Sequence, residues 1–177
     1  MTPQEIFDAL TEKFGSDSIV ALNSETIDPW IEVAAGSIVD VCSFLKTEDK
    51  FKFEMLANLT GVDYLETDPK LAKKFPYEPH VEVVYHLLSI SLKHRVTLKV
   101  LLPRWKDDQE GNLPEVPSVA GVWGIADWHE REAFDLVGIN FLGHPNPLRI
   151  LCPDDWEGHP LRKDYEFPLE YHGVRAK

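Results

Sequence analysis

His144, Cys152 and His159, with Asp154, Asp155 and Glu157 close by, are the side chains whose types could hold a metal ion or move a proton. Zinc sites draw on imidazole, thiolate and carboxylate ligands at short, regular spacings. Here the ligands are loosely spaced among prolines, so the expected role is hydrogen bonding that organises loops. The adjacent Asp154 and Asp155 would serve acid-base chemistry if buried side by side. Pro153-Asp154-Asp155-Trp156 reads more simply as a turn or helix cap with satisfied carboxylates. His86 and His129 are expected as ordinary polar positions on a strand and a helix.

Other chemistries lack their residues. Neither a Gly-x-Gly-x-x-Gly nor a Gly-x-x-x-x-Gly-Lys-Ser/Thr string occurs, so no nucleotide cradle is indicated. The Gly-x-Ser-x-Gly elbow is missing, and neither Cys42 nor Cys152 has the local setting of a nucleophile. Two isolated cysteines cannot supply the four thiolates of an iron-sulfur cluster. What remains is the charged run Glu130, Arg131, Glu132 and Asp135. Helical spacing sets Arg131 beside Asp135, a pair that contributes only about 0.2 to 0.5 kcal/mol when exposed. A buried arginine fork that holds carboxylates or main-chain carbonyls of the following loop would instead pin that loop to the helix.

The elements that must position these residues follow from periodicity. Thr2 and Pro3 open a helix over residues 1–14 with Ile6, Phe7, Leu10 and Phe14 on one face. Ser18–Leu22 and Trp30–Ala34 read as strands, and Gly36-Ser37 opens a helix through Ile38, Val41, Cys42 and Leu45, which makes Cys42 a core residue. Residues 51–66 fit both periods: Phe51, Phe53 and Met55 alternate, while Met55, Leu56 and Leu59 suit a helix face. Alternation over 81–88 and 96–102, broken at Lys93-His94, predicts a β-hairpin half-buried on its second strand. Ser118 is expected to cap a helix from Val119 to Val137. Glu130 falls within its apolar stripe, so it should bend the helix outward or meet a cation such as Arg131 or Arg149.

These elements predict an α+β fold, with helices packed on a mixed, largely antiparallel sheet over residues 1–138. Residues 139–177 hold Pro145, Pro147, Pro153, Pro160 and Pro168 and should form an extended, irregular arm. That arm also carries Phe141, Leu148, Leu151, Trp156, Leu161 and Phe167, apolar surface that favours docking on protein.

At 177 residues, 44% apolar and 27% charged, the chain can bury a core. A net charge of −12 disfavours nucleic acid and anionic bilayers as partners. No apolar run approaches the roughly 18 to 20 residues that span a bilayer, so membrane association is expected only through partners, and two isolated cysteines suit a reducing cytosol. Residues 80–106 depart from this acidity, with Lys93, Arg95, Lys99, Arg104 and Lys106 against Glu82 alone, a stripe that could meet an acidic partner.

Glu130-Arg131-Glu132, Phe134-Asp135-Leu136, Gly138-Ile139, Phe141 and Gly143-His144-Pro145, followed by the unbroken run Pro153 to Tyr165, closely resemble the 30 kDa subunit family of NADH:quinone oxidoreductase, the bacterial respiratory complex I. The likeness extends upstream through Val83–Ser89 and Val62-Asp63-Tyr64, so it covers the region from Trp30 to Tyr165. One departure is visible: the family's Leu-Arg-Arg-Ile-Leu is Pro147-Leu148-Arg149-Ile150-Leu151 here, with a single arginine.

The resemblance implies a cofactor-free member of the peripheral arm with a structural and assembly role, on the cytoplasmic side of the bacterial inner membrane. It would dock among the other peripheral-arm subunits, beside the 49 kDa-type one that helps form the quinone site, with FMN and iron-sulfur clusters held by partners. On that reading no residue is catalytic. Glu130, Arg131, Glu132, Asp135, His144, Arg149, Asp155, Trp156, Arg162, Lys163 and Asp164 would anchor the arm or form interfaces. Alternatives are the equivalent subunit of a membrane-bound hydrogenase or of a ferredoxin- or F420-linked dehydrogenase, and, from another class, a free-standing metal-dependent hydrolase using His144, Asp154, Asp155 and His159.

Overall fold

A computed structural model describes residues 1–175, so the last two residues of the expected 139–177 arm lie outside the described residues. Helix α1 (Pro3–Phe14) starts where the sequence places it. The Thr2 hydroxyl accepts from the Glu5 amide at 3.3 Å, the Glu5 carboxylate accepts from the Thr2 amide at 2.7 Å, and Ile6 and Leu10 are buried. Strands β1 (Ile19–Asn23) and β2 (Trp30–Val33) pair antiparallel, and α2 (Ile38–Thr47) buries Ile38, Val41, Cys42 and Leu45.

The ambiguous stretch resolves as strand β3 (Met55–Tyr64), with Phe51 and Phe53 buried in the turn before it. A bulge between Leu56 and Asn58 is the reason for the mixed period. The extra residue sets inward-facing Leu56 and Leu59 three apart, the spacing of a helix face, although both belong to a strand. A four-residue helix, α3 (Pro69–Ala72), precedes the hairpin of β4 (His80–Ser89) and β5 (His94–Pro103). As expected, Val96, Leu98, Val100 and Leu102 are buried along β5.

The sheet order is β1-β2-β5-β4-β3, antiparallel except that β2 and β5 run parallel, so the fold is α+β with a mixed sheet. One hydrophobic core joins Tyr85, Leu87 and Leu98 of the sheet to Ile6, Val41 and Ala133 of the helices. The last helix, α4 (Ala126–Val137), and the residues after it approach β3 so closely that a Cβ on Gly61 would meet Ile139 Cδ1 at 2.8 Å.

Helix α4 departs from expectation at its start. It begins at Ala126 rather than after Ser118, and residues 118–125 form turns. Ser118 gives its hydroxyl to Glu130, on the interior of the helix, instead of capping it. Strand β6 (Glu115–Pro117) pairs in parallel with β7 (Asn140–Leu142), which follows α4. From Gly143 to Leu169 there is no helix or strand, and a two-residue-a-side hairpin, β8 (Glu170–Tyr171) with β9 (Val174–Arg175), closes the described chain.

Candidate functional site

Of the side chains singled out in the sequence, Asp135, Arg149, His159 and Arg162 converge at the C-terminal end of α4. A helix leaves its last carbonyls without intrahelical donors and carries partial negative charge there. Here the arm supplies the donors. The Asp135 carbonyl accepts from Arg149 Nη1 at 3.0 Å and lies 3.0 Å from His159 Nδ1, and the Leu136 carbonyl accepts from the Leu161 amide at 2.8 Å. The carbonyls of Val137 and Gly138 both accept from the buried Arg162 guanidinium. Gly138 takes the left-handed conformation (φ 73°, ψ 62°) that ends the helix.

Asp135 turns the helix end into a clasp. Its carboxylate is buried, takes Arg149 Nη1 at 2.7 Å on one oxygen, and takes the amides of Ile150, Leu151 and Cys152 at 3.1, 2.7 and 2.9 Å on the other. Burial pushes this carboxyl upward, but the Cys152 amide, the Arg149 guanidinium and the two other amides outweigh it and hold the pKa at about 2. Burial depresses the pKa of His159, which favours the neutral ring whose Nδ1 hydrogen donates to the Asp135 carbonyl.

Arg131 is the fork that the charge pattern called for, although its targets are carbonyls rather than Asp135. Its Nε donates to the Leu148 carbonyl at 2.9 Å and its Nη2 to that of Arg149 at 3.3 Å. Arg149 takes the place beside Asp135 that helical spacing suggested for Arg131. Glu130 meets neither Arg131 nor Arg149. It is fully buried and accepts from Ser118 Oγ at 2.5 Å and the Val119 amide at 2.7 Å, with His144 Nε2 at 3.9 Å. Burial raises its pKa to about 7 against those two bonds.

A second fastening involves Lys163 and Asp164, which were expected as anchors, with the partners Asp63 and Arg104, which were not. Arg104 grips Asp63 with Nε at 2.8 Å and Nη2 at 2.9 Å, and grips Asp164 at 2.8 and 3.0 Å. Asp63 also accepts the Lys163 amide at 2.9 Å, so Lys163 contributes its backbone while its side chain is exposed. Trp105 lies against Arg162 at 4.5 Å, and Arg162 Nη1 donates to the Arg104 carbonyl at 3.1 Å. The available signal was the Val62-Asp63-Tyr64 string. Arg104 was hidden in the basic stripe, in which three of the other four cations also pair within the chain: Arg95 with Asp28, Lys99 with Glu82 and Lys106 with Glu115.

The remaining candidates do not join the clasp. Glu132 is exposed and, among the described residues, makes no side-chain hydrogen bond to the arm. Asp155 takes Tyr171 Oη at 2.7 Å and His172 Nε2 at 2.8 Å, and Trp156 packs on Tyr171 at 5.1 Å. His144 faces Asp127 and Glu130, while His159 faces Asp135. Among the described residues no group of three His, Cys, Asp or Glu side chains is placed to hold a metal ion. Nor is any described helix long and apolar enough to cross a membrane.

The family described as respiratory-chain NADH dehydrogenase, 30 Kd subunit, matches residues 31–171, which span both fastenings and the sheet apart from β1 and the first residue of β2. The chain belongs to this family. An NADH-quinone oxidoreductase subunit of Chlorobium phaeobacteroides is 42% identical over 172 residues, which are 96% of this chain and 92% of that protein. The namesake protein of a Roseiflexus species is 49% identical over 133 residues, 75% of this chain and 67% of its own. Among solved structures, a chain of the membrane-bound sulfane sulfur reductase, an archaeal respiratory membrane complex, is 25% identical with a TM-score of 0.67, over 92% of this chain and 85% of that one. The clasp and the second fastening thus lie within the part of the chain that the family matches.

Proposed function

We propose that the chain is a peripheral-arm subunit of a proton-pumping NADH:quinone oxidoreductase, with a structural and assembly role and no active site of its own. It docks beside the 49 kDa-type subunit on the cytoplasmic side of the inner membrane, and the FMN and iron-sulfur clusters belong to partner subunits. The observation that carries this reading is a division of labour in the arm. Backbone and charged groups from Arg149 to Asp164 are tied to residues 1–138, while Leu148, Leu151, Leu161, Phe167 and Leu169 are 57 to 88% exposed. A free chain gains nothing from showing that much apolar surface, whereas a subunit interface buries it. On this view residues 1–138 form the body, and the arm from 139 onward is held in shape before its partner arrives, which lowers the ordering cost of assembly.

The likeness to a chain of the sulfane sulfur reductase complex favours one second reading: the equivalent supporting subunit of a related membrane-bound hydrogenase or ferredoxin- or F420-linked dehydrogenase. Gentle purification of the tagged chain from detergent-solubilised membranes of its host tests both. Co-purified flavin, iron-sulfur signals and NADH-driven quinone reduction are expected. An assembly that ignores NADH would favour the second reading, and a chain that emerges alone from the soluble fraction would overturn both.

A further inference from the structure

Helices α1, α2 and α4 pack on one face of the sheet. The opposite face carries a groove whose floor is Val84, Thr97, Lys99 and Leu101, walled by the 23–28 turn on one side and by Tyr64, Tyr77 and His80 on the other. Lys99 lies 4.6 Å from the Trp30 ring and 2.7 Å from Glu82, and Tyr64 stacks on His80 at 4.5 Å, so the walls are ordered rather than loose. Their apolar parts stay open to solvent: Ile27 is fully exposed, Tyr77 53% and Leu101 39%.

The charges in and around this groove do not balance. Lys99 is taken by Glu82 and Arg95 by Asp28, and among the described residues neither Glu25 nor Glu32 meets a basic side chain. Glu32 stands opposite Lys99 in the parallel pairing of β2 with β5, near Glu82. Burial, and then the Glu82 charge, push its carboxyl above the ordinary range, against the opposing pull of His80.

We infer that this groove is a second docking surface, which receives an amphipathic segment of a partner subunit, with apolar side chains against Trp30, Val84 and Leu101 and a lysine or arginine toward Glu32 and Glu25. A second copy of this chain is disfavoured as occupant, because a chain of net charge −12 would bring like charge to an acidic rim. An anionic lipid surface is disfavoured for the same reason. The arm clasp lies on the helix-covered side, so the two surfaces face different neighbours and can fail independently. This inference rests on the chain working within an assembly but not on where the arm docks.

The test uses the whole complex purified from the host. Ile27→Cys in a Cys152→Ser background places a thiol at the fully exposed groove wall, with the remaining cysteine, Cys42, buried. Maleimide labelling of that thiol should be rapid in the isolated chain and slowed about tenfold or more in the complex. The double change Glu25→Lys with Glu32→Lys should lower retention of the chain in the complex about tenfold in moderate salt, with unfolding of the isolated chain unchanged. Equal labelling in the two states, or wild-type retention of the charge-reversed variant, overturns the groove. Protection already present in a dimer of the isolated chain overturns it in favour of self-association. A wild-type chain that joins no complex would instead fail the proposed function.

Discussion

Gly138 and His159 compete for one volume. A Cβ on Gly138 would lie 2.7 Å from both Cγ and Nε2 of the His159 ring, which seats the arm on the end of α4. The glycine therefore answers two demands, a left-handed helix end and the absence of a side chain under an imidazole. Gly138→Ala is expected to strain the backbone and push His159 off the Asp135 carbonyl. A loss of about 2 kcal/mol in urea unfolding and faster proteolysis between Gly143 and Leu169 would be the signature.

Arg162→Met tests the helix closure. The guanidinium holds the carbonyls of Val137, Gly138 and Arg104 from a buried position, and methionine fills the volume without any donor. Destabilisation of about 3 kcal/mol is expected, and Arg162→Lys should recover little of it because one ammonium cannot reproduce the fork. Full rescue by lysine in chemical denaturation would contradict a geometric role.

Asp135 should show in the acid limb of stability. Its carboxyl is held at about 2, below the ordinary 3.8, so the native state binds fewer protons than the unfolded chain between those values. The stabilisation is present above about pH 4 and is lost as pH falls toward 2. Asp135→Asn should remove that dependence and loosen residues 150–152, which unfolding midpoints measured across this range would detect.

Glu130 works in the opposite sense. Its folded pKa of about 7 lies above the ordinary 4.5, so the native state binds more protons, and its contribution falls as pH rises from about 4.5 through 7. The change amounts to about 3 kcal/mol at most. Glu130→Gln keeps a carbonyl acceptor for the Val119 amide and should flatten the slope. An unchanged slope would place the titrating group elsewhere.

Arg131→Ala should free the carbonyls of Leu148 and Arg149 without disturbing the core, since this side chain is not fully buried. Hydrogen exchange at residues 146–152 is expected to accelerate, and yield of the assembled complex to drop severalfold, while the isolated chain unfolds within about 1 kcal/mol of wild type. Normal assembly would remove Arg131 from the docking role.

Much of the architecture is local enough to read from residue order. The helix start at Thr2 and Pro3, the alternation of β5, the core position of Cys42 and the irregular stretch after Gly143 all follow from neighbours a few residues apart. The sequence motifs around Glu130–Asp135 and Pro153–Tyr165 likewise carried the family. The start of α4 was misplaced because Ser118 looks like a cap, yet its hydroxyl is taken by Glu130, twelve residues on, a contact that no helical period encodes. Strand β3 was obscured by a bulge that counterfeits helical spacing.

What sequence alone determined, then, is α1, α2 and the strands β1, β2, β4 and β5, the composition of the arm and the membership of a respiratory family. Only the tertiary structure decided which charge answers which. Asp63 and Lys163 are one hundred residues apart and Arg104 and Asp164 sixty, yet all four meet beside α4. Electrostatic pairs and orphaned helix carbonyls are satisfied by proximity in space, and proximity at that range is set by how the sheet stacks its strands and where α4 ends.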